Sequence, residues 1–405
     1  LGNVGNNEES LAPPSGDGAG PVARAAALRD VLREGAEEAD REGRLPEKSV
    51  LGLTEAGLMR LMTPRRLGGY QGDARTLLEV AIEVGRGCCA SGWITGVVNA
   101  GNFVVSLFPE RTREEVWSDN PDARTALVLG RPVTTVENAA GGIVVDGRWG
   151  YASGCLHADW MGGLVLADDG SGRPAPHFAL MPMGELTVED DWRFTGMRGT
   201  GSNTVVADRV FVPRHRLLPY LPVLHGETDG LVDPGHAYRN SLTGIFSIGL
   251  IGSLVGGADE AFRHVRERAP HRPVAGSSYD SQAASPAFQA DLAQAAAKIE
   301  TARLLALSVT DRIDAHAAAG KNPDLVTRAR ARMESTHVTQ LCREAVDILM
   351  TAYGSSAFAE SSPLQRIWRD VNVGSRHAGF GMGIPQQVYG SALVGRDPRD
   401  ISLLV

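Results

Sequence analysis

Lysine is nearly absent from this 405-residue chain: Lys48, Lys298 and Lys321 are the whole complement, and the rest of its 40 basic residues are arginine. Against them stand 48 acidic residues, giving a formal charge of −8 and a pI near 5.7. No broad cationic surface follows from such a balance, so a nucleic-acid-binding role is excluded, and the arginine bias reads as codon usage. Cysteine is equally sparse. Cys88, Cys89, Cys155 and Cys342 fall at no zinc or redox spacing, and neighbours such as Cys88 and Cys89 rarely bridge. A disulfide scaffold is thereby excluded, and a reducing cytoplasmic compartment is expected. The histidines show no metal-ligand spacing, with His264, His271, His316 and His337 expected on solvated faces.

Long apolar runs are also few. Asn240 to Ala258 is 19 residues without a charge, but no second run or basic flank accompanies it, so no membrane span is expected. Its Gly252 and Gly256 have the small-residue spacing of closely packed helices, and the segment reads as the buried central helix of a bundle.

Hydrophobic residues at 43% and charged residues at 22% are globular proportions, and the length calls for two or three lobes with room for a catalytic cavity. Residues 1–20 are rich in Gly, Asn, Pro and Ser and are expected to form a disordered tail, not a signal peptide. From Val22 to Ala39 apolar residues recur at helical spacing, and helical punctuation continues to about Asp119, giving a helical domain over 21–120. Short β-branched runs follow, from Thr125 to Leu129 through Asn203 to Val212, with turns at Asn138–Gly142, Asp169-Gly170 and Gly199–Gly201. They predict a β domain over 121–225. Helical periodicity returns to about Arg268, then over Asp291–Ala319, Asp324–Tyr353 and Pro363–His377, a four-helix bundle within 226–405. The fold class is mainly α with a central β domain.

Several stretches carry a resemblance. Gly196-Met-Arg-Gly-Thr-Gly-Ser202 leading into Val205–Pro213, Gln289–Leu305 and Pro363-Leu-Gln-Arg-Ile-Trp-Arg-Asp370 resemble the acyl-CoA dehydrogenase superfamily. Ser91-Gly-Trp-Ile-Thr-Gly96, Gly147-Arg-Trp-Gly-Tyr-Ala-Ser-Gly-Cys-Leu-His157 and Arg369-Asp-Val-Asn-Val-Gly-Ser-Arg-His377 resemble its oxygenase branch. That branch comprises two-component flavin-dependent monooxygenases, which take reduced flavin from a separate NAD(P)H-dependent flavin reductase. The resemblance spans roughly residues 25 to 395, and it implies an N-terminal helical domain, a middle β-barrel-like domain, a C-terminal four-helix bundle and a homotetramer.

Oxygen activation on a reduced flavin needs a wall for the ring, a hydrogen bond at N5 and exclusion of water. Alternation along a strand from Arg148 to Gly154 puts Trp149, Tyr151 and Ser153 on one side. The resemblance implies Ser153 beside flavin N5. Asp370, Gly374 and His377 are spaced for one helical face, with Gly374 removing bulk; the resemblance implies His377 near flavin C4a, where a neutral imidazole donates a hydrogen bond. Trp93 closes the pocket by the same resemblance. Trp192 with Arg198, Thr200 and the glycines to Ser202 forms a turn whose amides suit flavin carbonyls or phosphate. Gly154 and Arg366 complete the expected cofactor contacts.

A dehydrogenase of this superfamily needs a carboxylate base, which the family places after the last long helix or in the helix opening the bundle. No Asp or Glu lies between Asp370 and Asp397 or between Asp233 and Asp259, which leaves Glu260 as the nearest displaced base. The Arg-x-x-Phe-Gly motif for the adenosine half of FAD is missing around His271–Pro286, favouring FMNH2 with FADH2 possible. Phenol hydroxylases of the branch carry a His where this chain has Gly101, and Val128 lies on the apolar stretch Ala126–Gly130. With Trp192 and His377 these line a pocket poor in polar groups, which disfavours a small phenol by roughly 1–3 kcal/mol. The expectation is a monooxygenase that forms a C4a-hydroperoxyflavin with molecular oxygen and hydroxylates a bulky, mostly apolar aromatic or polyketide-like substrate. A displaced-base dehydrogenase or desaturase, and a non-catalytic scaffold, stand as alternatives.

Overall fold

The computed structural model describes residues 20–130, 133–168, 172–227, 238–381 and 383–405; the expected tail up to residue 19 and the Asp169-Gly170 turn lie outside them. Helices α1 (Pro21–Ala27), α2 (Arg29–Glu42), α3 (Glu47–Glu55), α4 (Ala74–Gly87), α5 (Cys89–Ser106) and α6 (Glu110–Trp117) come first. Their stops are local. α2 buries Leu32, Ala36 and Ala39 on one stripe and ends at Gly43, whose φ of 68° a side chain would resist. α4 begins where the Asp73 carboxylate accepts from the Thr76 amide at 2.7 Å.

The middle of the chain forms two four-stranded sheets. Strands β1 (Thr125–Leu127), β2 (Val133–Ala139), β3 (Gly142–Trp149), β4 (Trp160–Asp168), β5 (Pro174–Pro182), β6 (Thr187–Glu189), β7 (Thr204–Pro213) and β8 (Leu217–Pro219) pair in the orders β1-β4-β5-β8 and β2-β3-β7-β6. Only β1 and β4 run parallel among these pairs. A core that includes Val145, Trp149, Met161, Val165 and Val205 lies between the sheets.

Two details here correct the sequence reading. β3 stops at Trp149, and Tyr151 takes a φ of 61°, so the alternation expected to Gly154 is broken. Trp149, the last residue of β3, keeps the inward alternation of Val145 and Gly147 and lies in the sheet core, donating Nε1 to the Leu164 carbonyl at 3.0 Å, outside the cavity lining. Strand β8 carried too short an apolar run to be expected.

α7 (Tyr220–His225) leads to the bundle: α8 (Leu242–Arg268), α9 (Pro286–Ala318), α10 (Leu325–Tyr353), α11 (Pro363–Gly374) and α12 (Ile384–Leu393). Ser241, Ser285, Asp324 and Ser362 cap the first four with side-chain oxygens. α8 is the one described helix apolar and long enough to cross a membrane, and it is mostly buried between its neighbours. Glycines let it approach closely: Gly249 meets Gly96 of α5 backbone to backbone, while Gly252 and Gly256 seat against α4. His264 lies in this packing, buried against the Tyr353 ring and not solvated, because the α8 face it occupies is covered by α10. His271 and His337 are exposed as expected, and His316 is half-buried.

Candidate functional site

A cavity of about 860 Å³ opens where α5, the β-domain loops and the bundle meet. That size suits a cofactor ring together with a small molecule. One wall is a run of buried hydroxyls. Ser153, on the turn after β3, has its Oγ 2.7 Å from Ser202 Oγ; Ser202 Oγ lies 2.7 Å from Thr200 Oγ1, and Thr200 Oγ1 donates to the Met197 carbonyl at 2.7 Å. All three border the cavity while remaining nearly inaccessible to bulk water.

The loop carrying Thr200 and Ser202 is clamped from the bundle. Met197 adopts a left-handed φ of 53°, and its amide donates to the Asp370 carboxyl of α11 at 2.6 Å. Its carbonyl also accepts from Trp192 Nε1 at 3.0 Å. Complete burial pushes the Asp370 carboxyl up to about 7 against the lowering effect of the Met197 amide. Arg369 adds an ion pair to Asp40 of α2 at 2.7 Å and a hydrogen bond to the Thr195 carbonyl. Gly196 completes the clamp, since a Cβ there would strike the Arg369 carbonyl.

Beside this loop Trp192 and Phe194 stack at 3.9 Å between centroids, and Tyr151 meets both edge-on at 5.7 and 5.9 Å. Tyr151 is 68% exposed, an aromatic face held at the cavity rim with little covering it. Such a rim offers a planar heterocycle stacking area next to a buried hydroxyl.

On the facing wall stands His377. It lies three residues beyond the end of α11, on the turn that closes it, so the single helical face expected for Asp370, Gly374 and His377 holds only for the first two. Its ring sits among Trp93, Phe246 and Phe380 at 5.6 to 5.9 Å. Burial lowers its pKa to about 4, so the ring is neutral at physiological pH. Nδ1 accepts from the Gly379 amide at 3.1 Å, which puts the ring proton on Nε2. Gly374 packs against Trp93 and Met197, so its missing side chain makes room for the wall.

Away from these residues the cavity runs between α9 and α10 past Arg312, His316, Arg328 and Arg332. The sequence reading of a pocket poor in polar groups thus describes the α5 and β1 side, where Trp93, Val97, Leu127 and Val128 lie, but not this end. These arginines fall outside the motifs that carry the resemblance, and no local pattern marked them. Among the described residues, no Asp or Glu borders the cavity. Glu260 is held by Arg263 at 2.6 Å and Arg33 at 3.1 Å, away from it.

Of the residues singled out by sequence, Trp93, Val128, Tyr151, Ser153, Trp192, Thr200 and His377 border the cavity. Trp149, Gly154, Gly101, Arg198 and Arg366 do not. Gly101 faces β1, where a Cβ would meet the Thr125 carbonyl, so a side chain at that position would be directed at the strand. Gly154 packs near Ile94, and Arg198 donates to the Asp40 carbonyl at 2.6 Å. The sequence points to the backbone of the turn ending at Ser202 but not to its hydroxyl, and Met197, Asp370 and Phe194 acquire their roles only from tertiary contact.

Comparison with known proteins agrees with this geometry. Residues 23–112 match the family model described as the acyl-CoA dehydrogenase N-terminal domain, and residues 248–381 match the acyl-CoA dehydrogenase C-terminal domain. The chain is 33% identical over 397 residues to the oxygenase component of an FADH(2)-dependent resorcinol hydroxylase from Rhizobium sp., covering 93% of this chain and 95% of that protein. It is 32% identical to the oxygenase subunit HsaA of a flavin-dependent monooxygenase from Rhodococcus jostii, covering 91% of this chain and 97% of that one. Among solved structures, XiaF from Streptomyces sp., in complex with FADH2 and glycerol, superposes with a TM-score of 0.88 at 32% identity, covering 93% of this chain and 96% of that one.

Proposed function

Because the chain belongs to the acyl-CoA dehydrogenase superfamily, on its branch of oxygenase components of two-component flavin-dependent monooxygenases, we propose that it receives reduced flavin from a separate NAD(P)H-dependent reductase and hydroxylates a bulky, mostly apolar aromatic or polyketide-like metabolite. The observation that carries the proposal is a large cavity with a buried Ser153 hydroxyl and a neutral His377 on its walls and no carboxylate among its described lining residues. A dehydrogenation by α-proton removal lacks its base there.

The residues fit a flavin: Ser153 offers a buried oxygen for N5, the Tyr151, Trp192 and Phe194 rings offer a face for the isoalloxazine, and Thr200 and Trp192 line the adjoining loop. A reduced flavin held there would supply the two electrons that activate dioxygen, one oxygen atom going to the substrate and the other to water. The chain's own residues do the rest. Ser153 holds the ring edge; His377, through Nε2–H, supports the oxygen to be transferred; and Trp93 and Trp192 keep water out. Trp93, Val97, Val128 and Phe246 give an aromatic substrate an apolar seat.

The missing adenosine motif favours FMNH2, whereas the Rhizobium and Streptomyces relatives are named with FADH2. A homotetramer is part of the proposal, supported by exposed Leu304 on α9 and Leu393 and Val394 at the end of α12, which a partner would cover. The test is rapid mixing of dioxygen with protein preloaded with FMNH2 or FADH2: a long-lived peroxyflavin absorbance supports the proposal, and immediate flavin oxidation with either cofactor overturns it.

A further inference from the structure

The hydroxyls of Ser153, Ser202 and Thr200 end on a carbonyl, and that fixes which way their protons point. Two oxygens 2.7 Å apart are held only with a proton between them; without one, lone pairs face each other. Three such contacts exist: Ser153 to Ser202, Ser202 to Thr200, and Thr200 to the Met197 carbonyl. Three hydroxyls supply three protons, and the carbonyl supplies none. The only assignment that serves every contact has Thr200 donating to Met197, Ser202 donating to Thr200, and Ser153 donating to Ser202. The proton of Ser153 is spent inside the wall, and its oxygen meets the cavity as an acceptor.

We propose that Thr200 and Ser202 are positioning residues that lock Ser153 as a hydrogen-bond acceptor and so make the site select reduced over oxidised flavin. The inference rests on the flavin reading of the site given above. Reduced flavin carries N5–H, a donor that matches an accepting Ser153. Oxidised flavin presents a bare N5 lone pair, which an oxygen without an available proton repels. A free serine would rotate to suit either state. The network makes Ser153 one-sided, so the protein takes the cofactor in its oxygen-reactive form and releases it once oxidised. The Met197 carbonyl stays in place because its amide is tied to Asp370 and its oxygen to Trp192 Nε1.

The readout is the ratio of affinities for reduced and oxidised flavin, measured by quenching of tryptophan fluorescence in anaerobic and aerobic titrations of the full chain with FMN and with FAD. Thr200→Val leaves one contact and two hydroxyl protons between Ser153 and Ser202, so Ser153 becomes free to donate. The expected result is a fall of about tenfold in the reduced-to-oxidised preference, mainly through tighter oxidised flavin, equivalent to about 30 mV in the midpoint potential of the bound two-electron couple. Ser202→Ala should lower the ratio likewise, and Thr200→Ser, which restores the donor, should keep the wild-type ratio. A ratio unchanged in both Thr200→Val and Ser202→Ala, with flavin still bound, overturns the proposal and leaves the flavin site standing. Wild-type protein that binds neither redox state of either flavin overturns both.

Discussion

The buried carboxyl of Asp370 on α11 holds the amide of Met197, 173 residues earlier in the chain, at 2.6 Å, and through it the loop on which Thr200 and Ser202 stand. Burial raises this carboxyl to about 7 from an ordinary 3.8. The folded protein therefore binds a proton that the unfolded chain releases between about pH 4 and 7, and the contribution of this group to stability falls as pH rises through that window and is constant above it. The Asp370→Asn variant keeps an acceptor for Met197 but cannot ionise. Comparing thermal unfolding at about pH 5 and pH 8, the wild type should lose up to about 3 kcal/mol relative to the variant on going to the higher pH. Equal pH slopes for the two proteins would show that Asp370 titrates normally.

His377 carries the opposite sign. With its pKa lowered to about 4, its burial as a neutral ring stabilises the fold fully above about pH 6.5, and that contribution is lost as pH falls from there towards 4. Half-buried His157 and buried His264, also lowered to about 4, add to the same slope. For catalysis, product formation should show no inflection from a histidine between about pH 6 and 8. His377→Ala should cut product formation by about 10- to 100-fold across that range, and a rate that instead follows a group titrating near 6.5 would contradict the neutral-donor role.

The lobes were legible in the sequence because each has its own period: helical spacing to about Asp119, β-branched runs with turn residues between, then long helices opened by Ser and Asp caps. Trp93, Ser153 and His377 were legible from motifs that resemble known oxygenases. Other parts were not, for reasons that lie in tertiary contact. Trp149 follows the strand period into the sheet core, and the positive φ at Tyr151 turns the chain after it, so Tyr151 and Ser153 do not share its side. Asp370 reads as one charged residue on an amphipathic helix until the Met197 amide is seen against it. The arginine-lined end needs α9 and α10 brought together, and no spacing within either helix announces a shared cavity.

Ser153→Ala removes the only buried hydroxyl on the turn after β3 and leaves Ser202 and Thr200 bonded to each other. Losing one hydrogen bond to the ring edge costs about 1–3 kcal/mol, or roughly a 5- to 150-fold faster loss of the activated oxygen species. The variant should consume reduced flavin at a normal rate while hydrogen peroxide rises and hydroxylated product falls. A peroxide-to-product ratio equal to that of wild type, measured with catalase-sensitive oxygen uptake, would remove Ser153 from its role.

The spacing of the two cavity walls depends on the α5–α8 crossing, where Gly96 and Gly249 touch. A Cβ on Gly249 would stand 2.6 Å from the Gly96 Cα, with backbone on the other side that has no rotamer to yield. Trp93 lies three residues from Gly96 and Phe246 three from Gly249, so parting the helices moves both aromatic residues away from His377. Gly249→Ala should destabilise the protein by about 1–3 kcal/mol, as overpacking does. Any flavin bound should also show weaker coupling of reduction to product. Gly390→Ala on α12, where a Cβ meets nothing within 4 Å, provides the contrast and should stabilise by about 0.5–1 kcal/mol through helix propensity. If both substitutions shift the unfolding temperature upward, the close approach of α5 and α8 is not what sets the cavity's width.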